Sequence, residues 1–202
     1  MTTPHRFSVT WDYRCPFARN AHEHVLDALE ADAPWDVTFV PFSLDQMHVD
    51  EGESPVWDRP EEFPGLLANL AGLWVRDEQP DAFPAVHRAM FAARHDDALD
   101  LRDPEVVKGV LEQHGADAAG MIAAIQGGDA LTRMRAEHEQ AEGEHHVWGV
   151  PTFIVANQAV FVRLMHRPEG DAELAQRTVE RVLDLAGGWP DLNELKHTRI
   201  PR

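Results

Sequence analysis

The chain has 202 residues, 44 % of them hydrophobic and 26 % charged, and its 35 Asp and Glu against 18 Lys and Arg give a net charge of −17. That length suits one globular domain, or one domain with a sizeable insertion. An acid excess this large argues against nucleic acids and anionic membranes as partners, since binding them takes concentrated positive charge.

The first residues, "MTTPHRFSVTWD", lack the basic start and apolar core of a secretory signal. No apolar run approaches the roughly 18 residues of a membrane helix. A lone cysteine suits a reducing compartment, so a cytoplasmic protein is expected. Without a Cys-x-x-Cys pair there is no zinc ribbon in the sequence.

"RFSVTWDY" (6–13) alternates apolar and polar residues and predicts a strand. Pro16 then falls where the first turn of a helix accepts proline. Ala18, Ala21, Val25, Ala28 and Leu29 follow at helical spacing. "WDVTFVPFSL" (35–44) predicts a second strand. Strand, helix, strand is most economically a parallel pair with a crossover. Residues 46–64 are rich in acid, Pro and Gly and read as an irregular excursion.

From Phe63 to Val147 the pattern is helical, enough for three to five helices. One of them opens with Asp103 as N-cap and Pro104 in the first turn and stops at Gly115. "PTFIVAN" and "QAVFVRL" predict a hairpin turning at Asn157-Gln158. "DAELAQRTVERVLDLAGG" predicts an amphipathic helix ending at Gly187-Gly188. The last residues, 189–202, carry no assignment. The layout is α/β: β-α-β, a helical insertion, then β-β-α, which describes a four-stranded mixed sheet with helices on both faces.

The lone cysteine, Cys15, stands in "YRCPFARN" at the end of the first strand and the start of the first helix. Unpaired N–H groups and the helix dipole stabilise a thiolate there, so its pKa is expected below the free-thiol value of about 8.5, with Arg14 and Arg19 adding to the effect. The end of a strand is also the usual ligand edge of an open α/β sheet. The competing reading is a buried cysteine serving as a small hydrophobe.

"Gly149-Val150-Pro151-Thr152-Phe153" favours the first. Taken with Cys15-Pro16-Phe17-Ala18 after strand one and the helical insertion after strand two, it makes the chain similar, over nearly its whole length, to the thioredoxin-fold proteins of the DsbA type. Kappa-class glutathione transferases and 2-hydroxychromene-2-carboxylate isomerases share that layout. The resemblance implies a thioredoxin-like domain from 1–45 and 148–188, with an acidic loop and helical insertion at 46–147. It implies a cis peptide before Pro151, lying against the reactive cysteine, with the Val150 backbone available to an extended thiol or peptide.

DsbA-type oxidases carry Cys-x-x-Cys at this turn, and here Ala18 stands in the second cysteine's place. An internal disulfide is therefore excluded, and a monothiol route through a mixed disulfide remains. The transferases and isomerases use serine at the position of Cys15 to hold the glutathione sulfur, so Cys15 can also act without a redox step. Where kappa-type proteins hold the glutamyl end of glutathione with a Gly-x-Asp-like turn, this chain has "FVRLMHRPEGDAEL". Its Arg163, His166 and Arg167 suit another anionic or sugar-based thiol such as mycothiol, or are simply solvated charge.

His138, Glu142 and His145 are spaced to share one helical face, and His146 adjoins them. Such a set can bind a transition metal, but Gly143 interrupts the helix and the spacing matches no zinc motif, so no metal is assigned and surface histidines are the default. The family pattern has glycine near His146, so a ring there can overhang the cysteine.

The leading expectation is a DsbA-like monothiol oxidoreductase with Cys15 as nucleophile and Pro151 as platform, and with Tyr13, Pro16, Phe17, His146, Trp148, Val150 and Thr152 at the substrate. The alternatives are a thiol-dependent transferase or isomerase, and a non-catalytic binding module. The expected partner is a thiol substrate, with no tightly bound cofactor and with glutathione or mycothiol as cosubstrate. A homodimer stays open.

Overall fold

The computed structural model describes residues 5–199. The N-terminal stretch read above begins in residues 1–4, and the unassigned tail ends in residues 200–202, both outside the described residues. Four strands and seven α-helices are described: β1 (His5–Trp11), α1 (Pro16–Glu30), β2 (Trp35–Pro41), α2 (Leu66–Glu78), α3 (Phe83–His95), α4 (Pro104–Gln113), α5 (Ala118–Gln126), α6 (Asp129–His145), β3 (Thr152–Val155), β4 (Gln158–Phe161) and α7 (Ala172–Gly188). Three short 3₁₀ turns fill the acidic stretch between β2 and α2. Residues 189–199 form neither helix nor strand.

The strands form one sheet in the order β2-β1-β3-β4. β1 and β2 are parallel over seven residue pairs, β1 meets β3 antiparallel, and β3–β4 is a hairpin. This is the mixed four-stranded sheet of a thioredoxin fold, carrying a helical insertion between β2 and β3.

The alternation in β1 has a direct consequence. Phe7, Val9 and Trp11 point to one face and are buried. On that face α1 brings His22 against Trp11 and Phe39, α3 brings Phe83 against both, and α7 runs along α1. α6 lies over the opposite face, beside Ser8, Thr38 and Ile154. The insertion therefore closes over the sheet end where β1 runs into α1. At one point it comes close enough to require glycine: a Cβ on Gly72 of α2 would stand 2.4 Å from the Tyr13 hydroxyl.

Local signals held at most boundaries. Asp103 caps α4 through the Glu105 amide with Pro104 in the first turn, and Gly115 follows with φ +75°. Cys15, Asp117 and Asp171 cap α1, α5 and α7. Two details differ. The hairpin turns at Ala156-Asn157, both at positive φ, because Val155 pairs with Gln158. Gly143 does not interrupt α6, which ends at His146 in the left-handed conformation with φ 53°. Glycine adopts that conformation most easily, and here a histidine takes it. The imidazole itself is exposed.

Candidate active site

Cys15 is the N-cap of α1, and the turn that delivers it is tightly held. Its amide bonds to the Asp12 carbonyl at 3.0 Å. The Asp12 carboxylate is fully buried and accepts from the Arg14 amide and guanidinium and from the Leu44 amide. The Asn69 side chain accepts from the Tyr13 amide, and His95 bonds to the Tyr13 carbonyl at 2.9 Å.

Asp12, Asn69 and His95 did not emerge from the sequence. Only Asp12 had a local signal, since an Asp whose side chain takes the amide two residues on is a common turn former. Asn69 and His95 come from the insertion, and nothing local marks them.

The Cys15 sulfur is half-buried and faces two ways. It accepts from the Ala18 amide at 3.5 Å and donates to the Val150 carbonyl at 3.2 Å. Burial pushes the thiol pKa up, and Asp12 pushes it the same way. The Ala18 and Phe17 amides and the Arg163 charge pull it down, and burial prevails. This corrects the expectation of a depressed pKa. The two arginines counted on to help are engaged elsewhere: Arg14 with Asp12 and Asp45, Arg19 with Glu23 and Asp96. We expect Cys15 alkylation by an uncharged reagent to rise with pH to a midpoint above the ordinary cysteine value of about 8.5. A midpoint below neutrality in the folded protein would overturn that.

The partner loop is built from β1 outward. The Val150–Pro151 peptide is cis. The Thr152 amide donates to the Thr10 hydroxyl at 2.9 Å, and the Thr152 hydroxyl donates to the Gly149 carbonyl at 2.7 Å. Pro151 and Thr152 are buried. Thr152, expected at the substrate, instead ties the loop to itself, and Val150 offers its carbonyl to Cys15 while its side chain is buried. Pro16 is exposed beside the sulfur.

A cation and three rings flank the cysteine. The Arg163 guanidinium lies 5.7 Å from the Phe17 ring and 5.5 Å from the Phe161 ring. Trp148 packs at a tilt against Phe161, 4.5 Å between ring centroids, and is 62 % exposed. The Asn20 side-chain Nδ2 donates to the Leu164 carbonyl at 2.8 Å and pins this segment to α1. Of the three cations predicted here, Arg163 alone is felt by Cys15. Arg167 joins the Arg19–Glu23–Asp96 cluster, and His166 is exposed without a polar partner among the described residues. Phe161 was not singled out in the sequence, because its role depends on where the hairpin folds.

Tyr13 is not in the cleft but in the core. A hydrogen-bonded chain runs inward from it and fixes every proton. The Thr10 carbonyl must accept from His22 Nε2 (3.1 Å), so His22 Nδ1 accepts from His87 Nε2 (2.9 Å), and His87 Nδ1 accepts from the Tyr13 hydroxyl (2.7 Å). Both imidazoles are neutral. Burial lowers the His22 pKa to about 4, takes His87 well below its usual value, and raises the Tyr13 phenol.

His138 is likewise no surface residue. It is buried against Phe42 and Trp57, accepts from the Ser43 amide at 3.1 Å, and burial lowers its pKa to about 4. Among the described residues no three His, Cys, Asp or Glu side chains are grouped to hold a metal ion. A cavity of about 460 Å³ lies beside the Tyr13–Arg14 turn, between the Asp45, Phe63 and Leu101 regions, but Cys15 is not part of its wall. Cys15 itself is partly exposed, with Pro16 exposed beside it.

No curated protein matches the chain in sequence. Among solved structures the chain is similar to the oxidoreductase NmDsbA1 from N. meningitidis at 18 % identity, with 95 % of this chain and 88 % of that one covered and a TM-score of 0.58. BdbD from Bacillus subtilis gives 16 %, 90 %, 89 % and 0.61 in the same order. A 2-hydroxychromene-2-carboxylate isomerase gives 14 %, 89 %, 96 % and 0.60. Likenesses at such identity concern the fold. The sequence profile of the DSBA-like thioredoxin domain matches residues 8–166, a span that includes both the Cys15 turn and the Pro151 loop, and the chain belongs to the DsbA-like thioredoxin-domain family.

Proposed function

We propose that the protein is a monothiol thiol–disulfide oxidoreductase working through a mixed disulfide at Cys15. The observation that carries this reading is the half-exposed Cys15 sulfur at the α1 N-terminus, against the Val150 carbonyl, with Ala18 where a second cysteine would stand. The thiol gives its proton to solvent, and the thiolate attacks one sulfur of a disulfide R–S–S–R′. A bond forms from Cys15 to R–S, and R′–S⁻ leaves. A small thiolate then attacks the R sulfur, forms R–S–S with its own chain, and restores the Cys15 thiolate. No net electrons stay on the protein.

Glutathione or mycothiol would serve as the small thiol, in a reducing, cytoplasmic setting that suits a lone cysteine. The acidic surface disfavours nucleic acid and anionic membrane partners. Among the described residues no helix is long and apolar enough to cross a membrane.

A second reading keeps Cys15 protonated and uses its S–H to orient a cofactor thiol, as in a transferase or isomerase. The raised thiol pKa favours it, and the isomerase fold likeness is compatible with it.

The two readings separate in one experiment. The protein is incubated with glutathione disulfide and with mycothiol disulfide, and its intact mass and turnover of a small mixed disulfide are followed, with Cys15→Ser as control. An adduct on Cys15, removed by added thiol and absent in the control, is expected. No adduct combined with thiol-conjugate turnover sinks the redox reading in favour of the second, and neither activity leaves a binding module.

A further inference from the structure

The arginines around the Cys15 turn divide sharply. Arg14, Arg19 and Arg167 each meet at least one carboxylate. Arg163 is exposed and has neither a carboxylate partner nor a hydrogen bond among the described residues, in a chain with net charge −17. Its guanidinium is held by ring faces, Phe17 on one helix and Phe161 on the last strand. Ring contacts of this kind use none of the N–H donors, so the guanidinium fork is free to take a carboxylate with two parallel bonds.

Next to it Trp148 presents a largely bare indole, packed at a tilt of 39° against Phe161. The carbonyl just two residues on, that of Val150, is the one bonded to the Cys15 sulfur. Cation, rings and nucleophile thus share one edge, with Phe17 two residues from Cys15 in sequence.

We propose that this edge selects the substrate: the thiol or disulfide that exchanges at Cys15 carries an anionic group, taken by Arg163, on an aromatic ring that packs against Trp148 and Phe161. The inference rests on the redox reading of Cys15 above and adds the chemical class of what reacts there. The exchange is the one already balanced: Cys15 gains the aryl sulfur and an aryl thiolate leaves. An exposed tryptophan packed against one ring offers bare indole surface to a second planar group, and an unpaired cation beside it discriminates by charge, most strongly at low ionic strength.

The test compares single-turnover rates of Cys15 with three probes at low ionic strength: 5,5′-dithiobis(2-nitrobenzoate), aromatic and anionic; 4,4′-dithiodipyridine, aromatic and neutral; and bis(2-hydroxyethyl) disulfide, neutral without a ring. Arg163→Gln is expected to slow the anionic probe relative to the neutral aromatic one by about tenfold, the scale of one charge-assisted hydrogen bond. Taking the ratio removes any change in thiolate fraction, which affects both probes alike. Trp148→Ala is expected to slow both aromatic probes relative to the aliphatic one. Both side chains are exposed, so the variants should fold, and unchanged thermal unfolding checks this. If Cys15 reacts with every probe but the ratios are unmoved in both variants, the selection inference is overturned and the redox reading stands. If native Cys15 reacts with none of the three, both are overturned.

Discussion

Replacing Ala18 with cysteine is expected to turn a monothiol protein into one that forms an internal disulfide. Ala18 sits three residues after Cys15 on the same side of the first turn of α1, and its amide already reaches the Cys15 sulfur. Positions three apart on a helix are neighbours, within the roughly 4.4–6.8 Å Cα separation a disulfide needs. Because Ala18 is fully buried, the added sulfur must be fitted into a packed site, at a cost on the order of 1–3 kcal/mol for overpacking. The two sulfurs would then differ in access. Cys15 is half-exposed and the new one is covered, so incoming thiolates attack Cys15 and the buried sulfur leaves.

Under mild oxidation the Ala18→Cys protein should lose two hydrogens in intact mass and should oxidise a reduced, unfolded protein substrate, an activity the native chain, with no second thiol, is expected to lack. A variant that bridges but oxidises no polypeptide would mean the edge admits only small molecules, in line with the aromatic acid proposed above. A variant that never bridges would overturn the reading of "CPFA" as a one-cysteine form of the family's turn.

The second large effect is on stability in acid. His22, His87 and His138 are fully buried and neutral, with pKa values pushed down by burial, His22 and His138 to about 4. In the unfolded chain each returns to about 6.5. Below that value the unfolded state binds more protons than the folded one, so stability falls as pH drops from about 6.5 toward 4. A difference of this size corresponds to about 3 kcal/mol for each of His22 and His138, and His87 adds to the same slope. Against a typical total of about 5–15 kcal/mol, that is enough to unfold the protein in mild acid.

Urea midpoints measured between pH 7.5 and 4.5 should fall steeply below pH 6.5, and ring resonances of His22 and His138 should show no titration before unfolding. A flat profile would count against the buried neutral chain. The carbonyl of Thr10, the two imidazoles and the Tyr13 hydroxyl form one line of donors and acceptors with no spare proton. A proton added there leaves two donors facing each other.

Periodicity and punctuation were enough for the architecture. Alternation in "RFSVTW" named the buried face of β1, and helical spacing in α1 named Ala18, Ala21, Val25 and Ala28, which are buried, and Leu29, which is partly buried. Asp103-Pro104 and Gly115 marked both ends of α4. These features follow from interactions within a few residues, where backbone geometry and side-chain size act directly. The Cys15–Pro16 turn was legible for the same reason, and the Val150–Pro151 loop through its resemblance to a family motif.

What the site is made of was not local. Tyr13 reads as a cleft residue beside Cys15, yet the insertion brings His87 and Gly72 to its hydroxyl and draws the ring into the core. Arg14 and Arg19 read as helpers of a thiolate until Asp45 and Asp96, far away in sequence, occupy them. His138 reads as a surface residue until Phe42 and Trp57 close over it. The sequence by itself determined that a cysteine caps the first helix, and its resemblance to a known family set a Val-Pro loop opposite. Only the tertiary structure decided its pKa and its charged neighbours, because desolvation and ion pairing depend on which distant segments exclude water from the same few ångströms of space.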